Sequence, residues 1–252
     1  TSHNLGQNFS KPFEIRFIGR DEKLHYAWQA CWGVSWRLMG AVVMVHGDEK
    51  GLVLPPRIAP IQAVIIPIFY SREDERAVKA EAERIAGYLK RRRMKVVVDD
   101  RDQYTPGWKF NEWELKGVPV RVEVGPKEVK AGKVSLVRRD SSERILVDMG
   151  EVALKVKGLL EDVQRSLYRR AEEHLESHVT SVSSYSEFKK VLEEKAGFLK
   201  ACWCSSPECE ERVKEETGAE IRLIPFSEEK VFTPCIYCSK RADKVVYFGR
   251  AY

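Results

Sequence analysis

Four cysteines near the end of this chain have the types and spacing for metal chemistry. Cys204 and Cys209 are separated by four residues, and Cys235 and Cys238 by two. About 25 residues lie between the pairs, so each short turn can supply two sulfurs to one ion without threading the chain. Paired disulfides are the alternative. The chain reads as cytosolic, where thiols stay reduced, and that favours a structural zinc site. A closed four-thiolate site leaves no coordination position for a substrate, so such a metal holds structure rather than catalyses. Cys202 lies two residues before Cys204 and could compete with it, while Cys31 reads as a small buried hydrophobe.

Two further stretches carry candidate chemistry. Leu38 to Val45 is an almost uninterrupted apolar run of strand length, and Arg37 sits at its head. A guanidinium on a buried strand needs either a carboxylate partner or an anionic ligand such as a phosphate, and the residues alone leave both open. The second stretch, Pro106 to Glu123, interleaves Trp108, Phe110 and Trp113 with Lys109, Glu114 and Arg121. Unpaired bases are read by stacking on aromatics and by hydrogen bonds to their edges, and Glu114 and Arg121 could accept from and donate to guanine. On spacing alone, a salt-bridged helix with Trp108 and Trp113 in the core is the commoner arrangement.

The elements that must position these residues divide the chain into three. Residues 1–58 read as a strand-rich piece ending in the stiff linker Leu54-Pro55-Pro56-Arg57-Ile58. Residues 59–160 follow an α/β order, with strands at Gln62–Phe69, Met94–Val98 and Val118–Val124 and helices at Arg72–Arg93 and Trp108–Leu115. Further strands fit Lys133–Val137 and Ile145–Asp148, which together imply a mixed sheet flanked by helices. Residues 161–252 open with a helical pattern over Glu161–Ser177, a shorter one over Ser186–Glu194, and then the cysteines.

With 252 residues, 43% of them hydrophobic, the chain can bury a core in each of two or three units. Its 43 basic against 38 acidic residues give a net charge of +5, compatible with a nucleic-acid partner but too mild to establish one. No apolar run approaches membrane-spanning length and no signal peptide pattern opens the chain, so a cytoplasmic setting without a membrane partner is expected.

Several of these segments together resemble a known family. Trp32-Gly33-Val34-Ser35-Trp36-Arg37, the apolar run, and His46-Gly47-Asp48-Glu49-Lys50-Gly51-Leu52 are similar to the third signature motif of class II aminoacyl-tRNA synthetases. More narrowly they resemble the prolyl-tRNA synthetases of the archaeal and eukaryotic type. Thr1-Ser2-His3-Asn4-Leu5-Gly6-Gln7 is similar to that family's proline-pocket segment, and Val246 to Tyr252 is similar to its terminus. The resemblance covers the chain from end to end.

It implies a chain that is part α/β and part α+β: part of a class II antiparallel sheet (1–58), a mixed-sheet α/β anticodon-binding domain (59–160), and a small α+β zinc-binding C-terminal domain (161–252). It implies ligation of proline to its tRNA through prolyl-adenylate, with ATP and Mg²⁺ as substrates, structural Zn²⁺, a homodimeric whole enzyme, and tRNA, L-proline and ATP as partners. Arg37 would act on ATP. Thr1, His3, Trp32, Gly33, Ser35 and Tyr252 would shape the proline and ATP site, although Trp36 stands where the family has a small residue. Glu114, Arg121 and Lys127 would read the anticodon, and Arg138, Arg139 and Arg144 are candidate phosphate contacts. Cys204, Cys209, Cys235 and Cys238 would hold zinc. The two other class II motifs would lie before Thr1, so these residues by themselves are expected to perform no ATP–pyrophosphate exchange. A non-catalytic anticodon-binding module and another class II synthetase are the competing readings.

Overall fold

A computed structural model of the chain describes residues 2–227 and 229–250. They fall into two compact units, one up to Val163 and the other from Gln164 on.

The first unit begins with short antiparallel pairs. β1 (Ser2–Gly6) pairs with β4 (Gln29–Trp32), and between them β2 (Arg16–Ile18) pairs with β3 (Leu24–Tyr26). These are two separate two-stranded sheets. The apolar run expected as a buried strand is instead α1 (Arg37–His46), and none of its residues is buried. The reason is hydrogen bonding: a lone strand leaves every backbone group in need of a neighbour, whereas a helix closes its ladder on itself. Leu38, Met39, Ala41 and Met44 also have good helix propensity. Arg37 is therefore an exposed first helical residue rather than a buried strand residue, and Cys31 is exposed rather than buried.

The rest of this unit is one five-stranded sheet in the order β6-β5-β7-β8-β9. β5 (Ala63–Pro67) runs parallel to β6 (Val96–Val98) and to β7 (Val120–Val124). β8 (Lys133–Arg138) and β9 (Arg144–Asp148) complete it antiparallel. β5 is buried throughout, and alternation sends its side chains to two cores. Ala63 and Ile65 join Val78, Ile85 and Leu89 of α2 (Arg72–Arg91), with Val156 of α5 (Val152–Ser177). Val64 and Ile66 meet Trp113 of α3 (Pro106–Leu115) on the opposite face.

Local signals set the helix ends. Ser71 Oγ accepts the Asp74 N–H at 3.2 Å, and acids in the first turn of α2 face bases in its last, matching the helix dipole. Thr105 caps α3, with Pro106 in the first turn. α4 (Pro126–Lys130) follows β7. α5 starts nine residues ahead of the Glu161 expected from sequence, because Val152, Val156 and Leu159 form a stripe that packs on the sheet.

The second unit carries a four-stranded sheet, β10 (Val179–Ser181), β11 (Phe198–Trp203), β13 (Lys244–Arg250) and β12 (Ala219–Leu223) in spatial order. α6 (Tyr185–Glu194) and α7 (Pro207–Thr217) accompany it. Phe188 and Phe248, both fully buried, meet edge to face at 5.2 Å in its core.

Candidate anticodon interface and cysteine centre

At the carboxyl end of α3 a small open cleft, with about 10 Å³ of free space or room for one water molecule, is lined by Trp113, Glu114, Val118, Arg121, Arg138 and Arg139. Arg121 Nε donates to Glu123 Oε1 at 2.9 Å, Nη1 lies 3.4 Å from Glu114 Oε1, and the guanidinium sits 4.3 Å from the Phe110 ring centre. Glu123, buried on β7, is fixed in turn by Arg144 Nη1 at 2.6 Å. The cleft thus offers a carboxylate, a guanidinium seated over an aromatic ring, and a long Glu114–Arg121 contact that a ligand can replace. That is the donor and acceptor set for a guanine edge.

Lys127 stands apart from this group. It is exposed on α4, past the carboxyl end of β7, whereas Arg121 lies near the amino end. The expected phosphate-contacting arginines are engaged internally: Arg138 with Asp140, Arg139 with Asp48, and Arg144 with Glu123. The two tryptophans divide. Trp113 is core and donates its indole N–H to Asp99 Oδ2 at 2.7 Å, but Trp108 is 43% exposed and stacks on Tyr104 at 3.8 Å. Asp99 is also the partner of Arg101 and lies by the buried Lys109. Burial disfavours its charge, yet Arg101, the Trp113 indole and Lys109 together hold its carboxyl at about 2.

Of the residues expected around proline and ATP, His3 and Trp32 lie on the paired strands β1 and β4, but His3 is opposite Cys31 and Ser2 opposite Trp32, so strand alternation puts their side chains on opposite faces of the ribbon. Gly33 and Ser35 follow β4 directly, and Arg37 opens α1. His46 is the last residue of α1, ahead of the Gly47 cap. Thr1 and Tyr252 lie outside the described residues.

The cysteine centre is built in the second unit. Cys204 follows β11, Cys209 sits in the first turn of α7, and Cys235 and Cys238 lie on the loop before β13. That loop is tied to β11 by Ile236 N–H to the Cys202 carbonyl (2.9 Å) and Asp243 N–H to the Trp203 carbonyl (2.9 Å). All four sulfurs lie within 4.8 Å of one another. Cys204 is 3.6 Å from Cys209 and 3.7 Å from Cys238, close to the ~3.8 Å edge of a tetrahedron with 2.3 Å zinc–sulfur bonds. The residues therefore fit a tetrahedral thiophilic ion. Burial raises the Cys204 thiol and pushes Cys209 up to about 12. Burial opposes the Cys238 thiolate too, but the Lys240 backbone N–H and the neighbouring thiols bring it down to about 7. Four thiolates this close need a cation between them. Cys202 is outside the group: it is buried against Ala242 and Val245, and its sulfur accepts the Phe232 N–H. Cys202 is on β11 whereas Cys204 lies just past the end of that strand, where the chain turns at Ser205 (φ +61°), so strand alternation does not carry from one to the other.

Comparison with known proteins identifies both units. Residues 62–159 match the family described as anticodon binding domain, and residues 185–252 match prolyl-tRNA synthetase, C-terminal. The sheet of the first unit is thus an anticodon-binding domain, followed by a synthetase-type C-terminal domain. Over its whole length the chain is 44% identical to proline–tRNA ligase 2 of Bacillus thuringiensis, 46% to proline–tRNA ligase of Natranaerobius thermophilus, and 45% to proline–tRNA ligase 2 of Clostridioides difficile. The chain belongs to the prolyl-tRNA synthetase family and corresponds to a C-terminal portion of its members. It covers 52% of each of these relatives, about half their length.

Among the described residues no helix is long and apolar enough to cross a membrane.

Proposed function

We propose that this chain is the tRNA-binding part, with a portion of the catalytic region, of an enzyme that joins L-proline to its tRNA. The observation that carries this reading is the convergence of Glu114 and Arg121 on one cleft, with Phe110 against the Arg121 guanidinium, in a domain matched as anticodon-binding. Glu114 would accept from a guanine's amino and imino groups and Arg121 would donate to its acceptors, while Lys127 adds charge for the backbone nearby. Residues 59–160 would act as the anticodon reader, 161–252 as a zinc-stabilised C-terminal domain, and 1–58 as the end of the catalytic domain.

In the whole enzyme the proline carboxylate would attack the α-phosphate of ATP, releasing pyrophosphate. A hydroxyl of the terminal tRNA ribose would then take the prolyl group and release AMP. Positioning and charge stabilisation dominate such chemistry. Arg37 would bind the nucleotide with Mg²⁺, and His3, Trp32, Gly33 and Ser35, joined by Thr1 and Tyr252, would shape the substrate pocket. Cys204, Cys209, Cys235 and Cys238 would hold Zn²⁺, which supplies only cross-linking there. A cytoplasmic homodimer is the setting we infer for the whole enzyme.

By itself this chain is expected to bind the tRNA but to form no adenylate. The exposure of Arg37 on α1 supports that separation. The test is binding of a proline-tRNA anticodon stem-loop beside one with its guanines replaced. A loss of about 1–3 kcal/mol per guanine, abolished by Arg121→Ala, is the expected result. Equal, weak, salt-sensitive binding of both would leave only general RNA affinity.

A further inference from the structure

Glu114 is the penultimate residue of α3, where backbone carbonyls lose their helical partners. Its carbonyl is taken from two sides: by the Gly117 N–H at 3.0 Å and by Arg139 Nε at 2.9 Å. The Arg139 side chain is 3% exposed, and its other nitrogens grip Asp48 in a two-pronged pair, Nη1 to Oδ2 at 2.7 Å and Nη2 to Oδ1 at 2.6 Å. Arg139 holds the Asp48 carboxyl at about 2, so the pair is charged at any working pH.

The turn that carries Asp48 is seated on the end of the same helix. Leu52 N–H donates to the Leu115 carbonyl at 3.0 Å, and Leu54 N–H to the Gly117 carbonyl at 3.2 Å. The fit is tight on both sides. Gly51, at φ +127°, has no room for a Cβ, which would lie 2.7 Å from the Leu115 backbone. Gly117, at φ +71°, would bring one to 2.6 Å from Leu52.

The carboxylate of Glu114 is held far more loosely than its backbone, by one 3.4 Å contact to Arg121. Its aim into the cleft is therefore set from beneath, through its own main chain. We propose that Arg139, braced by Asp48, is a positioning residue for Glu114, and that the 48–54 turn thereby sets the base specificity of the cleft. The inference rests on the anticodon reading given above. It makes a segment outside the anticodon-binding domain a determinant of what that domain reads. A planar five-donor fork can serve the Glu114 carbonyl and both Asp48 oxygens at once, which a lysine cannot.

The test uses the full chain with Asp48→Asn, Asp48→Glu and Arg139→Lys, titrated with the anticodon stem-loop and with its guanine-substituted counterpart. Asp48 is half exposed and its replacement by Asn keeps its size, so the fold is expected to persist, as circular dichroism will check. The expected result is that Asp48→Asn and Arg139→Lys lower the preference for guanine about tenfold, with affinity for the substituted loop unchanged and Asp48→Glu near wild type. An undiminished preference in Asp48→Asn, with a wild type that does discriminate, overturns the positioning role and leaves the anticodon reading intact. An equal loss for both RNAs overturns it too, since that is a general electrostatic effect. A wild type that prefers neither RNA overturns the anticodon reading itself, and this inference with it.

Discussion

Residues 2–46 and the five-stranded sheet are both rich in apolar side chains, yet one region spreads them over its surface and the other buries them. Trp32, Trp36 and Met44 are each at least three-quarters exposed, whereas β5 and the facing stripe of α2 are sealed. The difference is one of completeness. The sheet brings its own helices for both faces, so period-two alternation on β5 finds a core on each side. The opening segment has only two-stranded ribbons, which cannot by themselves bury a face. The second unit lies between these cases, with a small core and a cysteine cluster beside it.

The sharpest way to break the comparison is to remove that cluster. Cys235→Ser, or a strong chelator applied to metal-loaded protein, is expected to unfold the second unit, since a structural zinc contributes on the order of 10 kcal/mol of folding free energy. The melting of the first unit should be left in place. Zinc released on treatment with a thiol-modifying reagent, counted per chain, provides the independent check. A second unit that melts identically with and without metal would mean that the core of Phe188 and Phe248 suffices.

Next comes the sheet. Ile65 is fully buried on β5, and Ile65→Ala is expected to cost about 2–5 kcal/mol in urea unfolding of the first unit. This is also where the sequence was most legible. All five strands and two of the three helices from Gln62 to Asp148 follow from periodicity and from Gly, Pro and Ser punctuation, with end shifts of a few residues, while the single-turn α4 was missed. That works because every element there packs on its near neighbours. α1 was illegible for the opposite reason: the run Leu38–Val45 has the pattern of a buried strand, and pattern cannot say whether a sheet is present to receive it. The sites divide the same way. Cysteine spacing pointed to the four sulfurs, since short turns set it locally. The clamp of Arg139 on Asp48 joins residues 91 apart and leaves no local signature.

A smaller effect should appear with pH. Asp99 has its pKa depressed to about 2 in the folded protein, against an ordinary value near 3.8. A depressed carboxylate contributes stability that is fully present above the ordinary pKa and is lost as pH falls toward the folded value. The window therefore runs from about pH 4 to about pH 2, and the loss amounts to about 2–3 kcal/mol. Asp99→Asn should be less stable than wild type at neutral pH, and the gap should close through that window. Emission from Trp113, whose indole N–H donates to Asp99, offers a local readout. A gap that stays constant to pH 2 would mean that Asp99 contributes shape rather than charge.

The smallest effect bears on the region where sequence and structure disagree. Gly40 lies in the interior of α1 with nothing within 4 Å of where a Cβ would sit. In an exposed helix, Gly→Ala removes backbone freedom from the unfolded chain and is expected to stabilise by about 0.5–1 kcal/mol. Local opening of α1 should then be rarer, and exchange of the amides from Val42 to His46 should slow by about twofold to fivefold. In a packed strand the same methyl would have to displace a neighbour, because interiors are filled to crystal-like density, and the substitution would destabilise. The sign alone decides between the two. Slower exchange fits the exposed helix, while faster exchange would mean that Leu38–Val45 is packed as a strand, as its pattern suggests, and that the contrast between the two regions is one of conformation as well as of burial.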